Sequence, residues 1–128
     1  MPAPLILIIE DDSHIGGLVS EVLREASYRV ELVANIEAAR ANAASALRPN
    51  AIISDLLVAG SGPPADVANQ IDALFPGTPL TLMTGVPRNR RTQMGVTHPR
   101  ILEKPFELDE LLSVVREMLA LRANSARR

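Results

Sequence analysis

The chain has 128 residues, enough for one domain and little more. It is 47% hydrophobic and 22% charged, so a packed core is available, but only Tyr28, Phe75 and Phe106 are aromatic, which argues against a single-strand nucleic-acid platform that stacks bases on rings. The net charge of −2 offers no basic field for DNA or an anionic membrane, and the absence of cysteine excludes disulfides, thiolate catalysis and cysteine-based zinc sites.

The first element is Leu5–Ile9, five aliphatic residues that run straight into Glu10, Asp11 and Asp12. A short unbroken apolar run reads as a strand buried on both faces. Three adjacent carboxylates at its end repel one another, and burying any of them unpaired is costly, so something cationic should meet them. Ile15, Leu18, Val19, Val22 and Leu23 then fall at i, i+3, i+4, i+7 and i+8, one face of a helix. Gly16 and Gly17 sit inside that helix, each at about 1 kcal/mol relative to alanine. Tyr28–Val33 is the second strand, and Asn35 caps a helix through Leu47 whose inward positions are mostly alanine.

Ala51–Ser54 is the third strand, ending at Asp55. Pro63 and Pro64 open a third helix that reaches Phe75 and closes at Pro76-Gly77. Leu80–Thr84 is the fourth strand. Pro87–Met94 is a short helix whose Arg88, Arg90 and Arg91 read as a solvated face, with docking of an acidic partner as the alternative. Ile101–Leu102 is the fifth strand, followed by Lys104. Leu108, Leu111, Leu112, Val115 and Leu119 mark the last helix, and Arg122–Arg128 reads as a frayed tail. His14 and His98 lack ligand spacing and read as surface histidines.

Five βα repeats predict a parallel sheet with helices on both faces, in one domain spanning 1–128 with a core of about 5–121. No signal-peptide pattern opens the chain, and no apolar run approaches the ~20 residues of a membrane span, so the expected location is the cytoplasm.

Open α/β sheets bind ligands beyond the carboxyl ends of their strands. Those ends carry Glu10, Asp11 and Asp12, then Asp55, Thr84 and Lys104. Singly, each has an ordinary explanation as a turn residue, a cap, a backbone-bonded hydroxyl or a solvated amine. Together they describe a site. Clustered carboxylates without thiols suit a hard cation such as Mg2+. Adding an ammonium and a hydroxyl shapes the site for a dianionic phosphoryl group, and a carboxylate there can act as nucleophile and form an aspartyl phosphate. Asp55 is the best nucleophile, because it stands alone on the central strand.

In order and spacing, Glu10-Asp11, Asp55, Thr84 and Lys104-Pro105-Phe106 resemble the receiver domain of two-component response regulators, over roughly Leu5 to Leu121. The resemblance implies a flavodoxin-like, doubly wound α/β fold with a five-stranded parallel sheet in order 2-1-3-4-5 and five helices. It implies phosphoryl transfer to Asp55 from a sensor histidine kinase or a histidine phosphotransfer protein, assisted by Thr84 and Lys104. It implies Mg2+ held by Asp11 and Asp55 directly, by Glu10 through water, and by the backbone carbonyl of Leu57. A cis bond at Lys104-Pro105 also follows from it. Asp12 lies outside the acidic pair and is expected at the start of the first helix. Such a protein is a stand-alone response regulator, not an enzyme beyond its own phosphorylation and dephosphorylation. It would dock to a protein target without direct nucleic-acid contact or membrane insertion, as a monomer or weak dimer.

The sequence departs from the family pattern at several positions. Ile101 stands where the family has an aromatic that rotates with the threonine, so signalling through the Thr84–Val86 loop and the following helix is expected instead. The loop after Asp55 is glycine-rich and lacks the usual proline. Leu57 and Val86 are apolar at positions that flank the phosphoryl group in the family, which predicts a long-lived phosphoryl group. Three rival readings are a phosphatase of the haloacid-dehalogenase kind, a nucleotide-binding Rossmann domain and a receiver-like interaction module that works without phosphorylation. The first wants D-x-D, where this chain has Ser13; the second wants a Gly-rich turn after the first strand, where it has acids.

Overall fold

The computed structural model describes residues 2–45, 48–58 and 60–126, the last four of these as backbone alone. Five strands, β1 Leu5–Ile9, β2 Arg29–Val33, β3 Ala51–Asp55, β4 Leu80–Thr84 and β5 Ile101–Glu103, form one all-parallel sheet in the order β2-β1-β3-β4-β5. Between and after them run α1 Ser13–Glu25, α2 Ile36–Ala43, α3 Val67–Leu74, α4 Arg88–Gln93 and α5 Leu108–Ala126. This is the flavodoxin-like doubly wound arrangement, in the strand order that the receiver-domain resemblance implies.

The period of two in β1 divides the core. Leu7 and Ile9 face one side, where they join Ile52, Leu82 and the inward residues Ile36, Ala39, Val67, Ile71 and Phe75 of the α2–α3 region. Ile6 and Ile8 face the other, with Ile53, Met83 and the α1 and α5 residues Val19, Leu23, Leu111, Val115 and Met118. Strands flanked by helices on both faces are mostly apolar, which is why β1 reads as an unbroken aliphatic run, while β3 and β4 are apolar but for Ser54, Thr81 and the polar residues Asp55 and Thr84 at their carboxyl ends.

Several boundaries differ from the sequence reading. Asn35 does cap α2, its Oδ1 accepting from the Ala38 amide at 2.8 Å, but the helix stops at Ala43; Leu47 lies outside the described residues. Pro64 begins a 3-10 turn, Pro64–Asp66, before α3 starts at Val67. Leu18 is 55% exposed rather than inward. The expected tail at Arg122–Arg128 is helical backbone as far as Ala126, because no glycine or proline interrupts the chain there; Arg127 and Arg128 lie outside the described residues.

Candidate functional site

The register of the sheet brings the polar strand ends to one edge. Ile9 pairs with Ser54, so Glu10 and Asp55 leave adjacent strands at the same level. Asp55 pairs with Met83, which puts Thr84 one step further along β4, and Thr84 in turn pairs with Glu103, the residue before Lys104. Backbone bonds continue past the strands: Glu10 N–H donates to Val33 O at 2.9 Å, Leu56 N–H to Met83 O at 2.8 Å, and Lys104 N–H to Thr84 O at 2.8 Å. Rigid sheet backbone therefore sets the spacing of the functional side chains.

Glu10, Asp11 and Asp55 each offer a carboxylate oxygen, and these oxygens lie within 4.8 Å of one another. Lys104 Nζ lies 3.5 Å from both Glu10 Oε2 and Asp55 Oδ2. The peptide bond between Lys104 and Pro105 is cis. Glu10 is only 3% exposed, whereas Asp55 is half-buried and Asp11 exposed, so the cluster opens outward from a buried base. Burial pushes the Glu10 carboxyl above its usual range, and the nearby Asp55 charge adds to that; the Asp12 amide, donating to Oε1 at 3.1 Å, and the Lys104 ammonium oppose it. Asp12 caps α1, accepting from the amides of His14 at 2.9 Å and Ile15 at 3.2 Å, and so stands apart from the cluster as expected.

The loop after Asp55 is held locally. Leu57 N–H reaches Asp55 Oδ1 at 3.3 Å, Leu56 and Val58 are buried, and Ser61 is buried with its hydroxyl donating to Val58 O at 2.6 Å. Gln70 Nε2 donates to Ser61 O. Gly60 and Gly62 take positive φ, the left-handed region that glycine enters without steric cost. Thr84 is 1% exposed, and its Oγ1 accepts from Val86 N–H at 3.0 Å. Thus Glu10, Asp11, Asp55 and Lys104 converge, while Thr84 stands at the adjoining strand end with its oxygen engaged by the loop.

Two residues differ from their sequence reading. Arg91 is not on a solvated face: it is 8% exposed, and its Nη1 donates to Val86 O at 2.7 Å and to Glu103 Oε1 at 2.9 Å. Arg88 and Arg90 are exposed as expected. His98 is half-buried, with Nε2 2.8 Å from Leu80 O. Neither placement has a local signal, because both depend on which residue the β4–β5 connection carries against the sheet. Beside Lys104, an apolar groove of about 410 Å3 is lined by Ile15, Leu18, Val19, Pro105, Phe106 and Leu108.

The donor set fits Mg2+. Three carboxylates face one ammonium, leaving excess negative charge among hard oxygen ligands with open access on the Asp11 side.

Comparison with known proteins agrees with this geometry. Residues 6–116 match the family described as response regulator receiver domain. The chain is 29% identical over 126 residues to the DNA-binding transcriptional regulator NtrC of a Bradyrhizobium species, covering 94% of this chain and 25% of that protein. It is 28% identical over 110 residues to a response regulator receiver protein of an Anaeromyxobacter species, covering 86% of this chain and 43% of that one. The chain therefore spans less than half the length of these curated relatives. Among solved structures, chemotaxis protein CheY4 of Vibrio cholerae superposes with a TM-score of 0.78 at 26% identity, covering 91% of this chain and 99% of that one.

Proposed function

We propose a function from one premise: this chain belongs to the response regulator receiver domain family. Asp55 is the phosphoacceptor. An oxygen of its carboxylate attacks the phosphorus of a phosphohistidine on a sensor histidine kinase or histidine phosphotransfer protein. The P–O bond forms as the P–N bond breaks, and the imidazole leaves with the electron pair and takes up a proton. Lys104 supplies a fixed positive charge beside Asp55, and Thr84 supplies a hydroxyl donor for the transferred oxygens. Glu10, Asp11, Asp55 and the Leu57 carbonyl would hold Mg2+. When bound, the ion supplies positive charge against the phosphoryl oxygens.

The observation that carries the reading is the convergence of three carboxylates on one edge with a single ammonium 3.5 Å from two of them. The apolar groove bordering Lys104, with exposed Leu18 and Leu108, supports docking of a phosphodonor helix there, since the Lys104 ammonium is 3.5 Å from Asp55. Residues 1–128 act as one receiver domain in the cytoplasm, monomeric or weakly dimeric. They signal by docking to a protein target without direct nucleic-acid contact or membrane insertion. The only chemistry is the domain's own phosphorylation and dephosphorylation.

The test is intact mass after incubation with acetyl phosphate, with and without Mg2+, on the wild type and Asp55→Asn. A single phosphoryl gain that needs both Mg2+ and Asp55 is expected. No gain from acetyl phosphate or from a phosphorylated histidine phosphotransfer protein, together with no measurable Mg2+ binding, would replace this reading with a module that works without phosphorylation.

A further inference from the structure

Among the described residues, Arg91 is the one buried cation, and nothing so far uses it. A guanidinium does not shed its charge, so taking it out of water is tolerated only where acceptors replace the lost hydration. Its two acceptors occupy telling positions. Val86 O belongs to the loop that leaves β4, and the amide of that same residue donates to Thr84 Oγ1 at 3.0 Å. Glu103 lies opposite Thr84 in the β4–β5 register and immediately precedes Lys104. Thr84 and Lys104 are joined in turn by the 2.8 Å bond from Lys104 N–H to Thr84 O. One side chain from α4 therefore grips both segments that present donors to the acidic cluster.

We propose that Arg91 is a positioning residue for phosphoryl transfer, fixing Val86 and Glu103 so that the Thr84 hydroxyl and the Lys104 ammonium stand ready for the group arriving on Asp55. Because the Thr84 oxygen is held by the Val86 amide, the hydroxyl proton is left to be donated elsewhere. The guanidinium is a polar tie between α4 and this loop. The inference rests on the phosphoacceptor reading and goes further by naming a residue outside the converging groups.

The test compares wild type, Arg91→Met, Arg91→Lys and Glu103→Gln in the full chain. Two quantities are read: the rate of phosphoryl gain from acetyl phosphate at saturating Mg2+, and Mg2+ affinity by calorimetry on unphosphorylated protein. Misplaced donors should slow transfer about tenfold in Arg91→Met while Mg2+ affinity holds, since the carboxylates are untouched. Arg91→Lys should recover part of the rate, because an ammonium keeps the charge but not the planar fork. A merely structural role would lower the melting temperature without separating rate from Mg2+ affinity. A folded Arg91→Met that matches the wild-type rate overturns the proposal. If Arg91→Met does not fold, Glu103→Gln decides: its side chain is 59% exposed, so the fold should survive, and a rate about threefold slower is expected from the weakened charge-assisted bond. An unchanged rate in that case is the overturning result. A wild type that gains no mass removes the phosphoacceptor reading and this one together, whereas normal wild-type phosphorylation with unaffected variants removes this one alone.

Discussion

Glu10 is where the site conflicts with the fold. Its carboxylate is almost completely buried at the end of β1, and burial, with Asp55 nearby, raises its affinity for a proton above the ordinary value. A carboxyl whose folded-state value lies above its unfolded value favours the folded state most when protonated. That contribution is fully present below the unfolded value and is lost as pH rises through the folded value. The metal-free protein should therefore lose stability from this group as pH climbs out of the carboxylate range. Glu10→Gln should melt higher than wild type at neutral pH in chelator, with a flatter dependence between about pH 4 and 7. Thermal melts across that range check it, and a lower melting point for Glu10→Gln at neutral pH would refute it. Leu57 makes a second residue-scale case. Its side chain is exposed beside Asp55, so Leu57→Asn should change stability by no more than about 0.5 kcal/mol. It should also shorten the life of the phosphoryl group by giving water a polar partner; an unchanged decay of the phosphorylated mass would count against that role. The carboxylates and Lys104 were legible because strand ends can be read directly from apolar runs. Arg91 and His98 were not, because arginine and histidine enter a core only where tertiary structure brings acceptors to them.

At the scale of the element, α1 shows how periodicity misleads by about one residue. The pattern Ile15, Leu18, Val19, Val22, Leu23 counts large apolar side chains, but the buried set is Gly16, Val19, Ser20 and Leu23. Two small residues hold inward positions that a hydrophobicity count passes over, and Leu18 turns out to the groove. The same geometry separates two glycines that looked alike in sequence. A Cβ on Gly16 would come within 3.0 Å of Leu32 Cδ1 and 3.6 Å of Glu10 Cγ, whereas one on Gly17 would meet nothing within 4 Å. Gly17→Ala should thus stabilise the protein by about 1 kcal/mol, the full helix-propensity difference. Gly16→Ala should gain less, because Leu32 must shift to make room. Urea denaturation of both variants tests the order, and an equal gain would show that Leu32 moves freely. The cap on α2 was legible because its logic is local: Asn35→Ala should cost about 1 kcal/mol in the same assay.

At the scale of the whole molecule, alternation in the sequence was enough for a parallel α/β sheet, but not for its strand order. Five βα units can be wound in several ways; the order with β1 between β2 and β3 came from the family resemblance and matches the observed sheet. That order is what places the acids of β1 and β3 side by side, and it gathers like charge that the fold alone only partly offsets. One ammonium lies at 3.5 Å from two of the carboxylates, and Asp11 completes the group. A divalent cation that binds the folded chain and not the unfolded one must then stabilise the entire domain by mass action, by about 2.7 kcal/mol at one hundred times its dissociation constant. For a domain of this size, each kcal/mol moves the melting point by roughly 3 to 5 °C, so a shift of several degrees on replacing chelator with excess Mg2+ is readily measured. Sodium chloride at matched ionic strength should reproduce little of it, since screening does not supply a ligand sphere. Asp11→Asn should remove most of the Mg2+ response while leaving the metal-free melting point at or above wild type, because it deletes a repelling charge on an exposed side chain. Equal melting points in chelator and Mg2+ for the wild type would show that Glu10, Asp11 and Asp55 do not hold the ion. A response retained in Asp11→Asn would assign the ion to the other two carboxylates.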